Sequence, residues 1–121
     1  MVGIMANNFT LYHNPRCSKS RQTLALLQEN GIEPEIVLYL ETQPGEAELR
    51  KLLKKLGITA RELIRKGEES YKSLKLANTE LDERALIQAM AKDARLIERP
   101  IVVAGNKAVL GRPPENALDL L

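Results

Sequence analysis

A chain of 121 residues has room for one domain and can bury one hydrophobic core without staples. Apolar residues make up 44% of it but aromatics only 3%, with no Trp, so Leu, Ile, Val and Ala must fill that core. A net charge of +2 is too balanced for a dedicated nucleic-acid binder, and a single cysteine excludes an intrachain disulfide and suits a reducing compartment.

The first eight residues lack a charged segment followed by an apolar one, so no signal peptide is expected and a cytoplasmic location is. Met5 offers a second start, which would make Met1 to Ile4 a non-structural extension. Phe9-Thr10-Leu11-Tyr12-His13 alternates and is rich in strand formers, and Asn14-Pro15 breaks it. A helix is predicted over residues 18–30, with Leu24 and Leu27 at helical spacing, Cys17 or Ser18 at its cap and Gly31 at its end. Residues 35–39 read as a second strand, which completes a βαβ unit with parallel strands.

Helices dominate the middle. Residues 46–56 place Leu49, Leu52, Leu53 and Leu56 on one face before Gly57. Thr59 and Glu62 form a capping-box pattern for a helix through about residue 66, and Asp82 caps another with Leu86, Ile87 and Met90 inward. Residues 68–78 are expected to be irregular with one short helical stretch. Ile101-Val102-Val103 is a buried strand, Gly105-Asn106 a turn, and residues 107–110 its hairpin partner. Pro113-Pro114-Glu115 opens a last helix. This order predicts an α/β fold of thioredoxin type: a four-stranded mixed sheet flanked by helices, in one domain, with a helical insertion between its βαβ and ββα halves. No apolar run approaches the length of a membrane span.

Cys17 is the candidate nucleophile. A lone cysteine is usually a small core residue, but three features oppose that reading here. It lies at a strand-to-helix junction, its neighbours Asn14, Pro15, Arg16, Ser18, Lys19, Ser20 and Arg21 are almost all polar or basic, and a helix start presents unpaired N–H groups. Such sites lower a cysteine pKa from about 8.5 into a range of roughly 3.5–7.5. The same N–H groups cradle oxyanions, so attack on phosphate or arsenate is the expected chemistry. A tyrosine-phosphatase loop needs Arg six residues after Cys, where this chain has Thr23. A dithiol motif needs a second Cys where Ser20 stands, so an external thiol must resolve any disulfide. One Cys and one His supply no zinc set, and no Gly-rich nucleotide loop is present.

Tyr12-His13-Asn14-Pro15, Cys17 and Ser20-Arg21 together resemble the active-site segment of glutaredoxin-dependent arsenate reductases. Residues 38–42, 61–66, 98–103 and 111–115 resemble further segments of that family in the same order and register. The resemblance implies that Cys17 attacks arsenate and that Arg65, Arg99 and Arg112 surround the oxyanion, with Arg21 as a weaker fourth. Guanidinium forks suit such anions because they bond in a bidentate manner. It further implies that no cofactor is bound, that glutathione is the co-substrate and that glutaredoxin recycles the enzyme. His13 resembles the family's catalytic histidine near the nucleophile, where its electrostatic help requires some imidazolium character at working pH; the competing reading is a strand residue with a satisfied hydrogen bond. Asn14 is expected to orient the loop and, with Ser20, to line the substrate site, and Pro100 matches the position of a cis proline. Arg50, Arg61, Arg84 and Arg95 are assigned to solvated helix faces.

Family members usually carry Pro-Ala-Cys-Gly-Thr-Ser where this chain has Pro15-Arg16-Cys17-Ser18-Lys19-Ser20. That stretch resembles a sister branch of arsenate reductase-like proteins. Two alternatives follow: a glutathione-dependent thiol oxidoreductase with another substrate, and a non-catalytic RNA polymerase-binding redox regulator. The arginine set favours an enzyme, and no interface stripe is apparent, so a monomer is expected.

Overall fold

A computed structural model describes residues 8–121, and the expectation about Met1 to Ile4 and a start at Met5 lies outside them. The chain forms two compact units, one running to Thr42 and resuming over Arg99–Leu121, the other Gln43–Glu98. The second is the anticipated helical insertion.

The first unit is built on a four-stranded mixed sheet. Its strands are β1 (Phe9–Tyr12), β2 (Glu35–Val37), β3 (Ile101–Ala104) and β4 (Lys107–Leu110), in the order β2-β1-β3-β4. β1 pairs parallel with β2, Leu11 opposite Ile36, and antiparallel with β3, Leu11 opposite Val102. β3 and β4 form a hairpin whose two-residue turn has Gly105 at a φ of 62°, a conformation that favours glycine. Helix α1 (Ser18–Glu29) and a C-terminal 3-10 helix (Pro114–Leu120) pack against each other. Phe9, Leu11 and Val102 on one sheet face bury themselves with Leu27, Ile32 and Ala117. Each such aliphatic side chain contributes about 1.5–3 kcal/mol of transfer free energy. α1 closes with the two hydrogen bonds of a Schellman motif: Gly31 N–H donates to Gln28 O at 3.0 Å and Ile32 N–H to Leu27 O at 2.9 Å, with Gly31 at a φ of 79°.

Two boundaries in this unit differ from the sequence reading. The second strand stops at Val37 rather than Tyr39, because the chain turns into a short helix α2 (Tyr39–Thr42) that buries the Tyr39 side chain. The last helix is 3-10 throughout rather than α. The peptide bond before Pro100 is cis, as the resemblance implies, and so is the one before Pro113.

The second unit is helical: α3 (Glu46–Leu56), α4 (Ala60–Leu63), α5 (Glu69–Ser73), α6 (Glu83–Lys92) and a 3-10 turn (Ala94–Leu96). α6 packs on α3, on α4 and on the 3-10 turn. It begins at Asp82, whose side chain accepts from Ala85 N–H, and Glu83 reaches across to accept from Ala60 N–H at 2.9 Å. The capping box of Thr59 and Glu62 is present, but its helix ends at Leu63 instead of residue 66. Ile64 is drawn into an antiparallel bridge with Ile97, and Arg65 N–H donates to Leu96 O at 2.7 Å. Arg61 is not the solvated residue expected: its guanidinium donates to Leu76 O at 2.6 Å and Asn78 O at 3.0 Å. Arg50, Arg84 and Arg95 are exposed, as assigned.

Candidate active site

Cys17 is the N-cap of α1, in an extended conformation with φ −93° and ψ 123°. The bend leading into it is made locally. Cys17 N–H donates to Asn14 O at 2.9 Å, Arg16 N–H donates to Asn14 Oδ1 at 3.0 Å, and the Arg21 guanidinium donates to Pro15 O at 2.8 Å. Pro15 cannot donate a backbone hydrogen bond, which suits a turn. The loop is therefore tied from both sides, and the sulfur stands half-buried at the head of the helix.

Behind the loop, Ser20 is fully buried on the first turn of α1. Its hydroxyl lies 2.6 Å from His13 Nδ1 and accepts from Asn14 N–H at 3.0 Å. It thus joins the end of β1, the loop and the helix. The hydroxyl is therefore engaged inside the protein, and what Ser20 turns towards Cys17 is its backbone N–H. Asn14 acts as the loop-orienting residue anticipated from the sequence.

Burial pushes the Cys17 thiol up, but opposing effects outweigh it and hold it below its ordinary value. The first of these is the backbone N–H of Ser20, followed by the Arg99 guanidinium and the backbone N–H of Lys19. The sulfur closes no side-chain cap hydrogen bond onto the helix, so the amides act on it as nearby dipoles at a helix N-terminus. Arg99 precedes the cis Pro100 and β3, so the sheet rather than sequence proximity brings its charge to the thiol.

His13 shifts the other way. Burial, and secondly the positive charge of Arg21, lower its pKa from 6.5. Both effects disfavour the imidazolium form beside Cys17. The geometry of His13 matches the competing reading of a satisfied hydrogen-bonding residue.

Arg112 is exposed and donates from Nη1 to Arg99 O at 3.2 Å. Asn116 secures its loop by donating to Leu110 O at 3.1 Å and Arg112 O at 3.2 Å. Cys17, Arg99 and Arg112 thus belong to one unit. Arg65 belongs to the other, where it pairs with Glu68 at 3.2 Å and with Glu98 at 3.9 Å.

Three supporting residues escaped the sequence reading as functional parts. Gly111 packs so closely that a Cβ there would lie 2.6 Å from Thr23 Oγ1 and 2.8 Å from Pro100 Cγ. Thr23 is fully buried and donates to Lys19 O at 2.8 Å, while Asn116 holds the Arg112 loop. Only Gly111 carried a signal, as part of the Gly111-Arg112-Pro113 segment. Among the described residues no group of His, Cys, Asp and Glu could hold a metal, and no helix is long and apolar enough to cross a membrane.

Comparison with known proteins agrees with this architecture. The profile of the ArsC family matches residues 12–120. The uncharacterised protein YfgD of Escherichia coli (strain K12) is 59% identical over 118 residues, covering 97% of this chain and 99% of that protein. An arsenate reductase of Haemophilus influenzae is 52% identical over 112 residues, covering 92% and 97% respectively. The solved structure of an arsenate reductase from Vibrio cholerae matches with a TM-score of 0.91 at 50% identity, over 93% of this chain and 97% of that one.

Proposed function

The chain belongs to the ArsC family, and on that premise we propose that it reduces arsenate to arsenite in the cytoplasm, with glutathione as co-substrate and glutaredoxin as its recycling partner. The observation that carries this reading is the thiol of Cys17 at the start of α1, held below its ordinary pKa by the Ser20 N–H and the Arg99 guanidinium. Donors of that kind also fit a tetrahedral oxyanion. Arg112, in the same unit as Cys17 and Arg99, joins the anion set in keeping with its place in the family pattern, in which Arg65 has the place of a third arginine.

The steps balance as follows. The Cys17 thiolate attacks arsenic, a sulfur–arsenic bond forms and an arsenate oxygen leaves as water after taking up protons. Glutathione displaces a second oxygen through its thiol, again as water. The two sulfurs then join as a disulfide, the electron pair this releases stays on arsenic, and one water adds back to it so that it leaves as arsenite with three oxygens. Cys17 is left as a mixed disulfide with glutathione. The glutaredoxin thiolate attacks the glutathione sulfur and frees Cys17. No second cysteine exists in this chain to take that role. Arg16 and Lys19, both exposed beside the sulfur, favour a second reading in which a bulkier anion is reduced by the same thiol chemistry.

Intact-mass analysis of reduced protein with arsenate and glutathione, without glutaredoxin, tests the proposal. A glutathione adduct on Cys17 that requires arsenate is expected. An adduct that forms equally without arsenate would overturn arsenate as the oxidant.

A further inference from the structure

The segment leading into Cys17 forms one wall of a groove of about 380 Å³, lined by His13, Asn14, Pro15, Arg16, Leu38, Leu40 and Glu41. The sheet creates it. β1 and β2 pair in parallel, and His13 N–H extends that pairing by donating to Val37 O at 2.9 Å. Residues 13–16 and 38–41 therefore leave the sheet side by side. Pro15, Leu38 and Leu40 make the lining largely apolar, and Leu40 remains 37% exposed. Arg16 and Glu41, both exposed, add one charge of each sign. The volume falls within the roughly 300–1,000 Å³ typical of small-ligand clefts.

We propose that this groove is the seat of the thiol co-substrate, a small zwitterionic peptide of the glutathione type, and that Arg16 and Glu41 set its specificity. This rests on the proposed glutathione-dependent function. Such a peptide carries carboxylates, an ammonium and a short apolar centre. Arg16 pairs a carboxylate, Glu41 the ammonium, and the Pro15, Leu38 and Leu40 surface takes the methylenes. The lining runs along residues 13–16 to Arg16, the residue before Cys17, so the peptide's thiol approaches arsenic on Cys17 from that loop. The arginine at position 16, which departs from the small residue usual in arsenate reductases, thereby gains a role in recognising the reductant.

The test is an NMR titration of the reduced full chain with S-methylglutathione, which binds but cannot react, with no arsenate present. Amide shifts are expected at Asn14, Arg16, Leu38, Leu40 and Glu41. Arg16→Ala and Glu41→Gln should each weaken binding by roughly two- to fivefold, the scale of an exposed ion pair, and raise the KM for glutathione with no change in that for arsenate. No binding at millimolar ligand, shifts confined to residues outside the groove, or unchanged affinity in both variants would overturn the proposal. Groove binding in a protein that fails to reduce arsenate would uphold it and overturn only the arsenate reading.

Discussion

Two kinds of donor act on the Cys17 sulfur from different parts of the chain. The backbone N–H groups of Ser20 and Lys19 belong to the first turn of α1, whereas the Arg99 guanidinium arrives just before β3. Both favour thiolate over thiol and together outweigh desolvation. The alkylation rate of Cys17 plotted against pH should therefore show a midpoint below that of an ordinary thiol. In Arg99→Gln the midpoint should rise, since loss of a cation disfavours the charged form. An ordinary midpoint in the wild type, or no rise in the variant, would remove Arg99 from the activation of the thiol. His13 follows the opposite logic, because burial disfavours its cation, while its Nδ1 lies 2.6 Å from the Ser20 hydroxyl.

At the scale of elements, close packing transmits to the site what the side chains alone do not. Gly111 links the end of β4 to Thr23 of α1 and to Pro100, the residue after Arg99. Gly111→Ala should cost about 1–3 kcal/mol by overpacking and lower activity as well, because Thr23 and Pro100 cannot both keep their places. Gly67→Ala, with nothing within 4 Å of the added Cβ, serves as the control in urea denaturation and should change stability little. The helical unit carries its own acid sensitivity. Asp93 is lowered to about 2, first by the Arg95 side chain and then by the Ser70 hydroxyl, which donates at 2.6 Å. Above pH about 4 both the folded and unfolded states hold this group ionised, and its stabilisation is full. As pH falls from about 4 towards 2 the unfolded chain binds the proton first, so stability is lost. Asp93→Asn should be less stable at neutral pH and lose less on acidification, as followed by urea midpoints. Parallel curves for the two proteins would contradict the assignment.

Across the whole molecule, what the sequence made legible was local. Gly31 and Gly57 end their helices, Asp82 caps α6, and Gly105-Asn106 turns the hairpin, each through contacts a few residues long. The strand and helix order, and with it the thioredoxin-like sheet, followed from the alternation of those signals. The misreadings arose where a distant partner intervened. Ile97 claimed Ile64 and shortened α4, burial of Tyr39 ended β2 early, and two carbonyls beyond α5 captured Arg61. The site was legible as a list of residues, since Cys17, Arg99 and Arg112 were all singled out. Its wiring was not, because the Ser20 hydroxyl between His13 and Asn14, and Gly111 against Thr23, are contacts that only the folded chain makes. The claim that this wiring serves arsenate reduction is tested most directly by a coupled assay of NADPH oxidation with arsenate, glutathione, glutaredoxin and glutathione reductase. Turnover that depends on arsenate, glutathione and glutaredoxin, and that vanishes in a folded Cys17→Ser variant, is the expected result; no turnover by fully reduced wild-type protein, at arsenate concentrations that saturate a known arsenate reductase, would contradict it.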